Sequence, residues 1–165
     1  MKQRMFLALV ALTSLLLAVC AGAQLPPKPE TIVKLHATPT QLELSRAANA
    51  SVVLLATIQK GFHINSNKPT EEYLIPTRVE LPADAPVVLA GADFPPGELK
   101  SFGFAPDDKL SVYEGTLKVG VQLKAKPDAP AGQHTVNLAF HYQACNDQLC
   151  LRPAKREVTL KVLLQ

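Results

Sequence analysis

Thr116-Leu-Lys-Val-Gly-Val-Gln-Leu-Lys-Ala125 sets the fold. Leu117, Val119, Val121 and Leu123 fall on one side, while Lys118, Gly120, Gln122 and Lys124 fall on the other. A repeat of two is the signature of a strand with one face buried and one in water. Two further stretches repeat it. Val136, Leu138, Phe140 and Tyr142 alternate with Thr135, Asn137, Ala139 and His141, and Val158, Leu160, Val162 and Leu164 alternate with Thr159 and Lys161.

Working outward, weaker strand patterns occupy 32–37, 41–46, 51–59, 77–81 and 86–90, separated by Pro-, Gly-, Asn- and Asp-rich turns at 47–50, 82–86, 95–97 and 126–132. No stretch beyond residue 23 has a helical period. Eight or so short strands so spaced predict an all-β chain folded as an immunoglobulin-like antiparallel β-sandwich. Tryptophan is absent, and no cysteine pair is spread across two sheets, so the antibody variety of that fold is not expected.

The beginning of the chain has a different character. Lys2 and Arg4 precede an apolar run from Phe6 to Val19, and Ala21-Gly-Ala23 is a small-x-small cleavage site, so residues 1–23 are read as an export signal. The alternative, a lipoprotein site at Leu17-Ala-Val-Cys20, is less favoured because Val19 is larger than the residue such sites carry. Residues 24–37, with Pro26, Pro27 and Pro29, form an extended leader and first strand, and 38–165 form one domain. Removing the signal leaves 142 of 165 residues and 15 basic against 14 acidic side chains, a formal charge of +1. This is no footprint for nucleic acid. No later segment is apolar and long enough to span a membrane, and the mature chain is expected to be exported.

An exported chain meets an oxidising environment, where close cysteines pair. Cys145 and Cys150 lie in His141-Tyr-Gln-Ala-Cys-Asn-Asp-Gln-Leu-Cys-Leu-Arg-Pro153, at the junction between two strands. Closing so short a loop stabilises a fold by only about 2 kcal/mol, against about 4.7 for a loop of 100 residues. As a staple the pair is poorly placed. At a surface tip, its sulfurs should be open to an attacking thiolate. Two readings stand at this point: a redox-active pair, or a structural hairpin clip in a noncatalytic protein-binding sandwich.

The segment Tyr142-Gln-Ala-Cys-Asn-Asp-Gln-Leu-Cys150, followed by Pro153, resembles the active-site hairpin of the N-terminal periplasmic (disulfide bond corrector) domain of the thiol:disulfide interchange protein DsbD. Lys60-Gly-Phe-His-Ile-Asn-Ser-Asn-Lys-Pro69, and Lys100-Ser-Phe-Gly-Phe-Ala-Pro106 through Val112-Tyr-Glu-Gly115, are similar to the same family and occur in the same order. The resemblance implies an immunoglobulin-like domain that takes electrons from a thioredoxin-like or membrane-embedded reductase partner and passes them to periplasmic clients, without a cofactor or metal. It matches Cys145 and Cys150 to the redox pair and the 100–108 loop to a cap over the disulfide. Phe102 or, preferably, Phe104 would be the shielding aromatic. His63 and Asn65, on a strand 62–65, would line the site, with Tyr142, Asn146, Asp147 and Arg152 around the cysteines.

The chain departs from the family pattern in several places. Four residues separate the cysteines, one fewer than usual. His63 and Asn65 stand where tyrosines are expected, and Arg152 where a proline or aromatic is common. Transmembrane and thioredoxin-like modules are not in the sequence, so electrons must come from another polypeptide. In the expected thiol–disulfide exchange, Cys150 is favoured as nucleophile toward clients. Arg152, Lys155, His141 or His63 would supply positive charge favouring its thiolate, and Asp147 would oppose it.

Other constellations carry less. His141, Cys145 and Cys150, with His63 or His134, are a weak zinc or copper pattern lacking four evident ligands. Glu71-Glu72 and Asp107-Asp108 read as solvated loop charge, and Asn49-Ala-Ser51 as a chance glycosylation sequon.

Overall fold

The computed structural model describes residues 26–165. The expected signal, Cys20 and the start of the leader lie outside them. The leader was expected to be extended, but it closes in a single 3-10 turn at Pro29–Thr31. Pro29 presets the first helical φ, and the Thr31 amide and hydroxyl both donate to the Lys28 carbonyl, at 2.9 and 2.7 Å.

Twelve strands follow among the described residues. The first six are β1 (Val33–Thr38), β2 (Gln41–Leu44), β3 (Asn49–Ile58), β4 (His63–Asn65), β5 (Arg78–Glu80) and β6 (Val87–Asp93). The rest are β7 (Glu98–Phe102), β8 (Ala105–Tyr113), β9 (Thr116–Ala125), β10 (Gly132–Tyr142), β11 (Ala144–Cys145) and β12 (Ala154–Leu164). One sheet has the order β1-β3-β9-β6 and a second β2-β12-β10-β5; a third, β11-β4-β8-β7, carries the cystine. All pairings are antiparallel except β2 with β12. The parallel pair arises because the chain leaves the first sheet after Thr38 and joins the second at Gln41.

The three strong alternations become the central strands β9, β10 and β12. Register brings their buried rows together: Leu54 faces Val119 and Ala56 faces Leu117, while Val136 faces Leu160 and Leu138 faces Val158. Val119, Val121, Leu123, Leu138, Leu160 and Val162 are fully buried. Each such side chain contributes about 1.5–3 kcal/mol of transfer free energy. Lys118, Gln122 and Lys124, between the buried residues of β9, are exposed.

The 100–108 segment, expected as a loop, belongs instead to a β-hairpin of β7 and β8 that reverses at Gly103-Phe104. A register shift between Lys100 and Phe102 breaks the period of two there, which hides the strands from a pattern search. Beneath this hairpin Leu74, Phe102, Leu110 and Val112 form a hydrophobic cluster separate from the main core.

A candidate redox site at the cystine hairpin

The site is built on the end of β10. Tyr142 is 1% exposed, packs in the main core, and donates its hydroxyl to the Pro29 carbonyl at 2.8 Å. Burial pushes its pKa up to about 12. Tyr142 therefore anchors the hairpin from below, whereas the sequence placed it in the site lining. Ala144 and Leu151, flanking the cysteines, are also in the main core.

Between them the chain closes tightly. The Leu151 amide donates to the Ala144 carbonyl at 2.8 Å, and the Asn146 amide to the Leu149 carbonyl at 2.9 Å. The Asn146 Oδ1 accepts from the amides of both Gln148 and Leu149 at 2.9 Å. This Asx turn gives Asn146 a shaping role at the loop. The Cys145–Cys150 disulfide spans a Cα–Cα distance of 4.0 Å. Its two halves differ: Cys145 is 1% exposed, whereas Cys150 is an exposed residue. The expectation that both sulfurs lie near the surface holds for Cys150 only.

Strand β4 supports the buried half. His63 is the antiparallel partner of Cys145, and Ile64 of Ala144. Asn65, 1% exposed, donates its amide N–H to the Gln143 carbonyl at 3.3 Å and its Nδ2 to the Ile75 carbonyl at 3.0 Å and Gln143 Oε1 at 3.3 Å. The Gln143 Nε2 reaches the Leu151 carbonyl at 3.2 Å. Asn65 and Gln143 thus brace both sides of the cystine loop. Buried polar groups joined this way hold one geometry, because leaving any of them unpaired is costly. Gln143 lay inside the quoted motif, but no periodicity or spacing marked its role.

The cap lies across this frame. His63 and Phe102 stack with ring centroids 3.9 Å apart and planes 19° apart, and Phe102 stacks on Phe104 at 5.6 Å and 4°. Phe102 is 8% exposed and Phe104 42%. A Cβ added at Gly103 would meet the Asp147 carbonyl oxygen at 3.6 Å, so the cap tip abuts the cystine loop. Phe104 and Cys150 line one cleft of about 510 Å³ with Tyr73, Gln143, Asp107 and Asp108. The cap leaves Cys150 exposed and does not seal it. Tyr73, 71% exposed, was not anticipated; a lone aromatic in a polar loop gives no signal in sequence.

Electrostatics correct the expected source of positive charge. Burial holds His63 below the usual imidazole value, against the pull of Glu114 and Asp147, with Lys100 adding to the lowering. Burial also outweighs Glu80 at His141, whose Nε2 lies 3.0 Å from Glu80 Oε2. Burial thus biases both imidazoles toward the neutral form. Lys155 pairs with Glu157 at 2.7 Å, and Arg152 is exposed two positions beyond Cys150. Among the described residues no group of three or more His, Cys, Asp or Glu side chains converges as a metal site.

The family model for the thiol:disulfide interchange protein DsbD, N-terminal, matches residues 29–162. The chain belongs to the DsbD N-terminal family. Membership supports a periplasmic thiol–disulfide interchange domain. Among solved structures, the chain is similar to the reduced Neisseria meningitidis DsbD N-terminal domain, with 19% identity and TM-score 0.49, covering 81% of this chain and 88% of that one. It is also similar to the N-terminal periplasmic domain of ScsB from Proteus mirabilis, with 12% identity and TM-score 0.55, covering 82% of this chain. It spans about half, 49%, of that ScsB chain. No curated protein sequence matches the chain. The ScsB likeness supports the sandwich fold.

Proposed function

We propose that this domain relays reducing equivalents in the periplasm, taking them from a thioredoxin-like or membrane-embedded reductase protein and passing them to client proteins through Cys145 and Cys150. One observation carries the reading. The disulfide presents Cys150 in an open cleft while Cys145 is buried behind it, held by β4 and the braced loop.

That asymmetry orders the chemistry. A partner thiolate attacks the Cys150 sulfur, the Cys150–Cys145 bond breaks, and Cys145 leaves as a thiolate. A second partner thiolate then attacks the mixed disulfide and frees the reduced domain. Toward a client the sequence reverses, with Cys150 as nucleophile and Cys145 resolving. Phe104 shares the cleft and would shift as a partner docks. Residues 1–23 act as the export signal that brings the domain to this compartment.

The test is exchange with a reduced thioredoxin-like protein, followed by alkylation and mass spectrometry. Cys145→Ser together with Cys150→Ser should abolish exchange and leave the β-sheet circular dichroism unchanged. Single Cys145→Ser protein, given the same partner in its oxidised, disulfide form, should accumulate a mixed disulfide on Cys150. Exchange that survives the double substitution would refute the reading, and an inert native disulfide would identify a structural clip.

A further inference from the structure

The buried cysteine poses a problem for the exchange just proposed. When Cys145 resolves a mixed disulfide on Cys150, its thiol must lose a proton, yet at 1% exposure it has almost no contact with water. Burial in apolar surroundings opposes thiol ionisation. A nearby protein base would remove the obstacle.

His63 is placed to be that base. Directly opposed residues of an antiparallel pair project to the same face with Cβ atoms about 4.5–5.5 Å apart, and His63 is the register partner of Cys145. Its ring is 2% exposed and is fixed by the Phe102 stack. Nε2 is fully buried and has no hydrogen-bond partner. A native protein rarely leaves such an atom unpaired, and an orphan of this kind asks for an explanation. In the tautomer protonated at Nδ1, Nε2 presents a free lone pair.

We propose that His63 Nε2 accepts the Cys145 thiol proton during the resolving step. The inference rests on the exchange reading and adds to it a residue that the family resemblance placed only as site lining. The charged groups facing His63 are Asp147 from the cystine loop, Glu114 beyond β8 and Lys100 from β7. The two carboxylates stabilise a transient imidazolium and Lys100 opposes it. Neither carboxylate is as well placed to take the proton: Asp147 is exposed, and Glu114 is paired with Lys100 at 2.5 Å.

With glutathione disulfide as the oxidant, the steps balance. The Cys150 thiolate attacks one glutathione sulfur, and the other glutathione leaves as a thiolate that takes up a proton. Cys145 then passes its proton to Nε2 and attacks the Cys150 sulfur. The Cys145–Cys150 bond forms, the Cys150–glutathione bond breaks, and the departing thiolate receives the proton from the imidazolium. The domain loses two electrons and two protons, and glutathione disulfide becomes two glutathiones.

The experiment follows the lifetime of the Cys150–glutathione adduct by rapid acid quench and mass spectrometry from pH 5 to 8.5, in wild type and in His63→Phe. Phenylalanine keeps an aromatic ring against Phe102 and removes the nitrogen. The expected result is resolution about 10-fold or more slower at pH 7, with loss of the acid limb seen in wild type, where protonated imidazole cannot accept. A variant that resolves at the wild-type rate with the same pH profile overturns the proposal. If wild type forms no adduct on Cys150, the exchange reading itself fails. Should His63→Phe not fold, NMR titration of the His63 ring in wild type decides: a step shared with the Cys145 thiol in the reduced form supports the base, and identical titration in reduced and disulfide forms refutes it.

Discussion

Leu138 on β10 and Leu110 on β8 are buried almost equally, at 0% and 1% exposure, but in different company. Leu138 belongs to the main core, together with Tyr142, Ala144 and Leu151 at the base of the cystine hairpin. Leu110 belongs to the cluster of Leu74, Phe102 and Val112 under the cap. The cystine is therefore fixed to the main core, and its cover rests on a smaller one. Local opening free energies follow the buried contacts of each unit, so the β7–β8 hairpin is expected to open at lower cost than the sandwich. The proposed exchange would use this division, which holds two sulfurs in place beneath a less firmly packed cover.

Truncating the two leucines should separate the regions most sharply. Leu138→Ala is expected to lower global stability by about 2–5 kcal/mol, read from urea unfolding. Leu110→Ala should shift the global midpoint less and accelerate reduction of the disulfide by dithiothreitol under native conditions. Equal global losses with unchanged reduction rates would show that cap and sandwich are one cooperative unit.

Asn65 sits on the seam. Asn65→Ala leaves the Ile75 carbonyl and the Gln143 side chain without their shared donor, at a cost of about 1–3 kcal/mol. Hydrogen exchange should rise around Gln143 and the cystine loop more than in the middle of β9. A uniform rise would dissolve the distinction.

Acid provides the smallest effect. The lowered native values of His63 and His141 mean that the unfolded chain binds more protons between those values and about 6.5. Stability should therefore fall as pH drops below about 6.5. Denaturant melts of His63→Phe across this range should show a shallower decline than wild type, and an unchanged slope would mean that His63 is not the buried neutral group described.

The comparison also explains what was legible in the sequence. In β9, β10 and β12 one face packs on the core and the other meets water, so burial writes a period of two into the residues. The cap hairpin has a register shift and the charged run Asp107-Asp108-Lys109, and β4 is only three residues long with all three buried, so neither shows alternation. The cysteine pair was visible by spacing, and the family resemblance directed attention to Phe102, Phe104, His63 and Asn65. The unequal exposure of Cys145 and Cys150, the burial that lowers the His63 pKa and the bracing by Gln143 depend on contacts between segments distant in sequence. Spacing alone carries none of that.

The most direct measurement is redox titration of the native domain in dithiothreitol or glutathione buffers at pH 7, with alkylation to identify the free thiol of each trapped intermediate. The account predicts reversible conversion at a midpoint within about −120 to −270 mV, the span of thioredoxin-like couples, with mixed disulfides carried on Cys150 and Cys145 free. A midpoint below about −300 mV, or reduction only after the sandwich unfolds, would contradict it.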